Sequence, residues 1–195
     1  QQVQKPDVYS RLREEIDDFF SQNAEPEHSA LSKLPYLQAC IDEALRLHPP
    51  VPSGVQRMTP PEGMEIDGTF IPGSTIIQVP TYTMFRGKFY ERLFSQANEF
   101  IPERWTTRPE MVMDPTVFVP FGTGKYSCAG KQLGLMETRY CASQIIHRHD
   151  VKFAPKQTVR AFVEGQKDGF TLSLPVLELI FNPREEGSRS PVNPR

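Results

Sequence analysis

Apolar positions in the first part of the chain recur at helical spacing. Val8, Leu12, Ile16, Phe19 and Phe20 fall on one stripe, which predicts an amphipathic helix from Asp7 to Phe20. Pro6 suits its first position, where a missing N–H costs nothing. Asn23–Ser29 is polar and reads as an exposed connection in which His28 is solvated. A second helix is predicted over Leu34–Leu47, burying Leu34, Leu37, Ile41, Ala44, Leu45 and Leu47. Pro49-Pro50 ends it, because proline cannot continue the hydrogen-bond ladder. A third helical pattern runs from Lys131 to about Arg148, with Leu133, Met136, Tyr140, Ile145 and Ile146 on its apolar side and Cys141 in the core.

Elsewhere the period shortens. Val51–Met58 reads as extended, and the turn signals Asp67-Gly68 and Pro72-Gly73 bracket a strand pair, Met64–Ile66 with Thr75–Val79. Near the C-terminus, Val151–Phe153, Val159–Val163, Thr171–Leu174 and Leu177–Phe181 read as strands, with Glu164–Gly169 as a turn. The polar, Pro-containing tail 183–195 is predicted to be disordered. The fold class is mainly α with small β-sheets (α+β).

Composition narrows the function. A chain of 195 residues buries one core or two small ones. No stretch approaches the roughly 18 apolar residues that span a bilayer, and Gln1–Val3 does not resemble a secretory signal. The three cysteines, 40, 128 and 141, form no paired spacing, which argues against a disulfide framework or zinc knuckle and for a reducing compartment. The 22 Lys and Arg are scattered among 24 Asp and Glu, so there is no nucleic-acid footprint. His147 and His149 lie at a helix end, where a protonated His is favoured, and no third ligand has a spacing suited to zinc.

The chemistry gathers at Phe121-Gly122-Thr123-Gly124-Lys125-Tyr126-Ser127-Cys128-Ala129-Gly130. Gly122 and Gly124 allow positive φ and a close approach of backbone to a flat ligand. A cysteine just ahead of a helix meets amide groups and the positive end of the helix dipole, which favour its thiolate. Phe121 is placed to keep water off the sulfur. A single shielded thiolate on a backbone platform suits a metal that needs one strong protein ligand, as haem iron does. The loop lacks the Gly-Lys-Ser/Thr ending of a phosphate-binding loop.

The pattern Phe-x-x-Gly-x-x-x-Cys-x-Gly resembles the cysteine-ligand loop of the cytochrome P-450 family. Two further segments carry the resemblance. Glu43 and Arg46 share a helix face and taken alone are an ordinary pair worth ~0.3 kcal/mol. Within Leu37–Pro50, however, they match the family's Glu-x-x-Arg helix with its proline-terminated end, and Pro102-Glu103-Arg104-Trp105 is a form of its Pro-Glu-Arg-Phe segment. The resemblance covers about Asp7 to Arg184 and looks closest to the filamentous-fungal branch. The chain departs from the pattern at Tyr126, where the family usually has Arg, and at Met84-Phe85-Arg86-Gly87, where it commonly shows His-Arg-Asp. The stretch 85–101 is also slightly long, as a local insertion or an inaccurate gene model would make it.

The resemblance implies the C-terminal, haem-ligand portion of that fold over residues 1–182, with the N-terminal part absent. It implies haem b with Cys128 as axial thiolate and metal ligand, cradled by Phe121, Gly122, Gly124, Tyr126 and Gly130. It places Glu43, Arg46 and Arg104 in a buried structural network, Arg57 beside a haem propionate, and about Asp168–Phe170 against substrate. No complete catalytic set is expected in this chain, because the proton-relay helix, most of the pocket and the membrane anchor fall in the missing part. The parent would be a monooxygenase at the cytoplasmic face of the endoplasmic reticulum, using O2, a small organic substrate and electrons from an NADPH-linked reductase. That reductase would dock at Lys125 and Lys131, with Arg139 extending the patch. The alternative is a truncated, non-enzymatic fragment that binds haem or a protein partner without turnover.

Overall fold

The computed structural model describes residues 5–23, 25–87 and 92–185. The expected disorder of the tail therefore lies largely outside the described residues, as do Gln1–Val3 and residues 88–91 of the atypical 85–101 stretch. Three helices carry the main core: α1 (Pro6–Gln22), α3 (Pro35–Leu47) and α5 (Lys131–Arg148), with one short helix, α2 (His28–Leu31), between the first two. Val8, Leu12 and Ile16 of α1 meet Leu37, Cys40, Ile41 and Leu47 of α3, and Leu135 and Ile146 of α5 complete the cluster with Phe100. Pro6 and Pro35 open their helices. At the far end of α3 the His48 N–H still donates to the Ala44 carbonyl (2.8 Å), and Pro49 then stops the ladder.

Among the described residues the strands are short and pair in twos, all antiparallel. They are β1 (Arg57–Met58) with β4 (Ile76–Ile77), β2 (Met64–Ile66) with β3 (Thr69–Ile71), β5 (His149–Phe153) with β8 (Leu179–Pro183), and β6 (Lys167–Gly169) with β7 (Thr171–Ser173). Two helices of six residues, α4 (Thr81–Arg86) and α6 (Val159–Glu164), fall among them.

Several sequence expectations need correction. Val51–Met58 is not one strand, because Gly54 takes φ +77° and turns the chain. A Cβ there would stand 1.9 Å from the Val79 carbonyl oxygen. Met64–Ile66 pairs with Thr69–Ile71 and not with Thr75–Val79, since the Asp67-Gly68 turn folds it straight back. Val159–Val163 is helical: the Thr158 hydroxyl caps the Ala161 N–H (3.1 Å), and Arg160 pairs with Glu164 one turn on (2.8 Å). Part of the expected turn 164–169 is strand β6. Asn182 and Pro183, assigned to or beside the tail, belong to β8, and Arg184 is pinned to Asp17 by two hydrogen bonds (2.7 and 2.9 Å). Burial presses the Asp17 carboxyl upward, but Arg184 and His147 outweigh it and hold the group below the usual carboxylate range.

The helix faces also differ from the pattern. On α5 the buried positions are Leu135, Arg139, Ser143, Ile146 and His147, whereas Leu133, Met136, Tyr140, Ile145 and Cys141 are exposed. Polar residues at 139 and 143 sit inward because each has a partner: Arg139 donates to Gln38 Oε1 (2.9 Å) and Ser143 to the Tyr140 carbonyl (3.0 Å). Arg139 thus ties α5 to α3 and does not extend a surface patch. Ala44 of α3 is exposed, while Tyr36 and Cys40 are buried. His147 is buried too, stacked on Phe20 at 4.1 Å.

At the centre sits the Glu43 carboxylate, with no exposed surface. It accepts from Arg46 Nε and Nη2 (both 2.9 Å), Arg104 Nε (3.0 Å), the Ile101 N–H (2.8 Å) and Trp105 Nε1 (3.0 Å). Two guanidinium groups against one carboxylate leave a positive charge, which backbone carbonyls disperse. Arg46 donates to the carbonyls of Phe85, Ala97 and Glu99, and Arg104 to those of Ser95, Gln96 and Met111. A second aromatic cluster, Phe85, Phe94, Trp105 and Phe118, walls this site, with Trp105 and Phe118 ring centroids 4.4 Å apart. Removing one member of a buried ionic set strands the others, at a cost of roughly 3–5 kcal/mol. Glu43→Ala in the full-length protein should therefore give misfolded material, and Trp105→Phe a folded protein weaker by about 2 kcal/mol in denaturant titration. Soluble Glu43→Ala of wild-type stability would refute the hub.

Candidate functional site

The loop before α5 is built from local backbone bonds. The Gly122 N–H donates to the Val119 carbonyl (2.9 Å), the Ser127 N–H to Gly124 (3.1 Å), and the Cys128 N–H back to Phe121 (2.8 Å). Gly122 and Gly124 hold φ near +70°, a region costly for side chains with a Cβ, so the turn needs glycine at both places. Lys125 and Tyr126 lie on a single tight helical turn, Gly124–Tyr126. Gly130 then leads into α5.

This places Cys128 exposed on the loop, beside glycines. No atom stands within 4 Å of where a Cβ would project at Gly124 or Gly134, and at Gly130 the nearest is the Cys128 sulfur itself, at 3.8 Å. Phe121 does not cover the sulfur. It is half-buried and packs into the main core, with the Lys131 ammonium 5.9 Å from its ring centroid. The other two thiols differ. Cys40 is sealed among α1 and α3, and burial pushes its thiol far above the ordinary range. Cys141 lies on the exposed side of α5.

Arg57, 69 positions earlier in β1, reaches the loop. Its guanidinium lies 5.5 Å from the Tyr126 ring centroid, and Lys125 Nζ lies 5.7 Å from the same centroid. The Asp168–Phe170 tip of the β6–β7 hairpin is strapped to the segment after α3: Leu172 N–H donates to the Pro50 carbonyl (2.8 Å), and the Ser53 hydroxyl meets the Asp168 carboxylate. Phe170 there is exposed, at φ +78°. The structure thus gathers Cys128, Tyr126, Lys125 and Arg57 at one place and Glu43, Arg46 and Arg104 at another.

The donor set discriminates among ligands. Among the described residues no three His, Cys, Asp or Glu side chains gather to hold a metal ion. A lone soft sulfur on a platform of glycines fits a metal that brings its other ligands in a flat ring. A sequence model of the cytochrome P-450 family matches residues 3–181. The chain belongs to the cytochrome P-450 family.

Relatives agree with that membership and with a fungal branch. The chain is 54% identical over 179 residues to the cytochrome P-450 monooxygenase FCK2 of Fusarium pseudograminearum, covering 92% of this chain and 32% of that protein. It is 50% identical over 157 residues to the cytochrome P-450 monooxygenase orf5 of Eupenicillium brefeldianum, covering 80% of this chain and 32% of that one. Tryprostatin B 6-hydroxylase of Aspergillus fumigatus is 35% identical over 179 residues, at 91% and 32% coverage. The chain spans about a third of the length of these relatives. Trp105 and the Ile101 N–H escaped the sequence reading as partners of Glu43. The Trp directly after Arg104 was the one available signal, since a buried indole N–H needs an acceptor.

Proposed function

We propose that this chain is the thiolate-bearing part of a haem monooxygenase, with Cys128 as the residue that would hold the iron. The observation that carries the reading is the exposed Cys128 thiol on a glycine loop, with no cluster of three metal-ligating side chains among the described residues. Bound haem supplies oxygen activation: one atom of O2 enters an organic substrate and the other leaves as water, with two electrons and two protons consumed. The chain's own residues do the rest. Cys128 would hold the iron and supply electron density to it, Gly122, Gly124 and Gly130 keep the backbone open to a flat group, and the Glu43 hub fixes the scaffold. The exposed Asp168–Phe170 tip is assigned to substrate contact. Because the relatives are about three times as long, turnover is a property of the full-length protein. Among the described residues no helix is long and apolar enough to cross a membrane. An endoplasmic-reticulum anchor in the full-length protein is part of the same proposal.

Electron delivery from an NADPH-linked reductase is assigned to the cysteine side of the haem. Lys125 and Lys131 flank the thiol and are both exposed. Complementary charge speeds encounter with an acidic flavin domain more than it deepens affinity. Lys131 is the cleaner probe, since its ring contact is with Phe121 and not Tyr126.

Two measurements test the reading in the full-length protein. Cys128→Ser should abolish the thiolate-type carbon monoxide difference band, while Cys40→Ser and Cys141→Ser keep it. A retained band in Cys128→Ser would end the assignment. Lys131→Glu should slow reduction by the reductase at low ionic strength, with the defect shrinking as salt screens the wild-type attraction. Unaltered reduction at low salt would remove this lysine from docking.

A further inference from the structure

The β6–β7 hairpin turns on a single residue. Gly169 pairs with Thr171, which leaves Phe170 alone at the apex, at φ +78°. A bulky aromatic residue in the left-handed region is strained, and such strain persists only where neighbours fix it. Asp168 does the fixing. One of its carboxylate oxygens accepts from the Phe170 N–H (3.1 Å), and the other accepts from the Ser53 hydroxyl, on the segment after α3. Two more bonds join the same two segments. The Leu172 N–H donates to the Pro50 carbonyl (2.8 Å), and His48 Nδ1 meets the Gln166 amide group at 3.3 Å.

Asp168 is exposed and has no cationic partner among the described residues. A carboxylate at such a tip either receives a cationic group of the substrate or positions its neighbour. The bonding pattern favours the second role, since both oxygens already have donors and one donor is the strained residue's own amide. The Phe170 side chain, meanwhile, stays open to its surroundings, with the residue 59% exposed. We propose that Asp168 is a positioning residue that clasps Ser53 and the Phe170 amide, so that the Phe170 ring, and not a charge, meets an apolar part of the substrate. The inference rests on the assignment of this tip to substrate contact and divides the roles within it.

The test uses the full-length holoprotein and three iron-binding probes read by difference spectra: imidazole, decylimidazole, and an aminodecylimidazole that ends in an ammonium group. Asp168→Ala and Ser53→Ala should each weaken both long probes roughly fivefold, the scale of one net hydrogen bond. The double variant should be no weaker than Asp168→Ala, because the two changes break one clasp. Asp168→Asn should stay within about twofold of wild type, since an amide can accept from the Phe170 N–H and donate to the Ser53 hydroxyl. Imidazole, too small to reach the tip, should bind all variants alike. Ser53→Ala alters nothing beside Lys167, so it should also speed trypsin cleavage after Lys167 roughly fivefold, a readout that needs no ligand. If Asp168→Asn loses the ammonium probe as Asp168→Ala does while Ser53→Ala keeps it, Asp168 is a counter-charge for substrate and the positioning role is overturned. Equal weakening of imidazole would mark general loosening and overturn it too. Unaltered cleavage in Ser53→Ala would sink the clasp alone. Faster cleavage with unaltered decylimidazole binding would sink the substrate reading of the tip and the inference with it.

Discussion

One carboxylate sets the geometry of this chain. Glu43 is fully buried and receives Arg46, Arg104, Trp105 and the Ile101 amide at once. Desolvating such a group is expensive, and only saturated hydrogen bonding makes it tolerable. The consequence is positional. Arg46 and Arg104 spend their remaining donors on the carbonyls of Phe85, Ser95, Gln96, Ala97, Glu99 and Met111, so irregular backbone without regular ladders is tied to the hub. Burial pushes the Arg104 guanidinium below its ordinary range, and Glu43 opposes that push. The segment leads, through Phe118 tilted against Trp105, into the loop that carries Cys128.

That loop is organised on the opposite principle. Its thiol is exposed, its glycines leave space above the backbone, and its fold is fixed by a few backbone bonds. A buried charged hub and a bare glycine platform divide the labour: the first fixes position, and the second leaves room for a flat ligand. Tyr126 joins the platform to β1 through Arg57.

How much of this was legible in the sequence depended on the kind of signal. The long helices were readable because their apolar positions repeat over three or more turns, and the loop because its glycines, cysteine and following helix are contiguous. The buried charges were readable only through family resemblance: Glu43 and Arg46 at a spacing of three look like any surface pair, and nothing local marks Arg104. The failures have physical causes. Strands of two or three residues carry too little pattern to fix a partner, so β2 was matched to the wrong segment. Val159–Val163 is too short for its period to outweigh a Thr158 cap. On α5 Ile146 faces the core as its pattern implies, but Leu133, Met136, Tyr140 and Ile145 face outward while Arg139 turns in, since its bond to Gln38 is invisible from the sequence. Cys141 was misplaced with those outward residues.

The central claim is that the Cys128 sulfur bonds iron. Resonance Raman spectroscopy tests it most directly, on a full-length protein in which Cys128 is the sole cysteine, grown with either natural or heavy sulfur in that residue. The account predicts an iron–sulfur stretching mode that moves to lower frequency with the heavy isotope. A haem-loaded protein whose low-frequency modes are all indifferent to the sulfur isotope would contradict it.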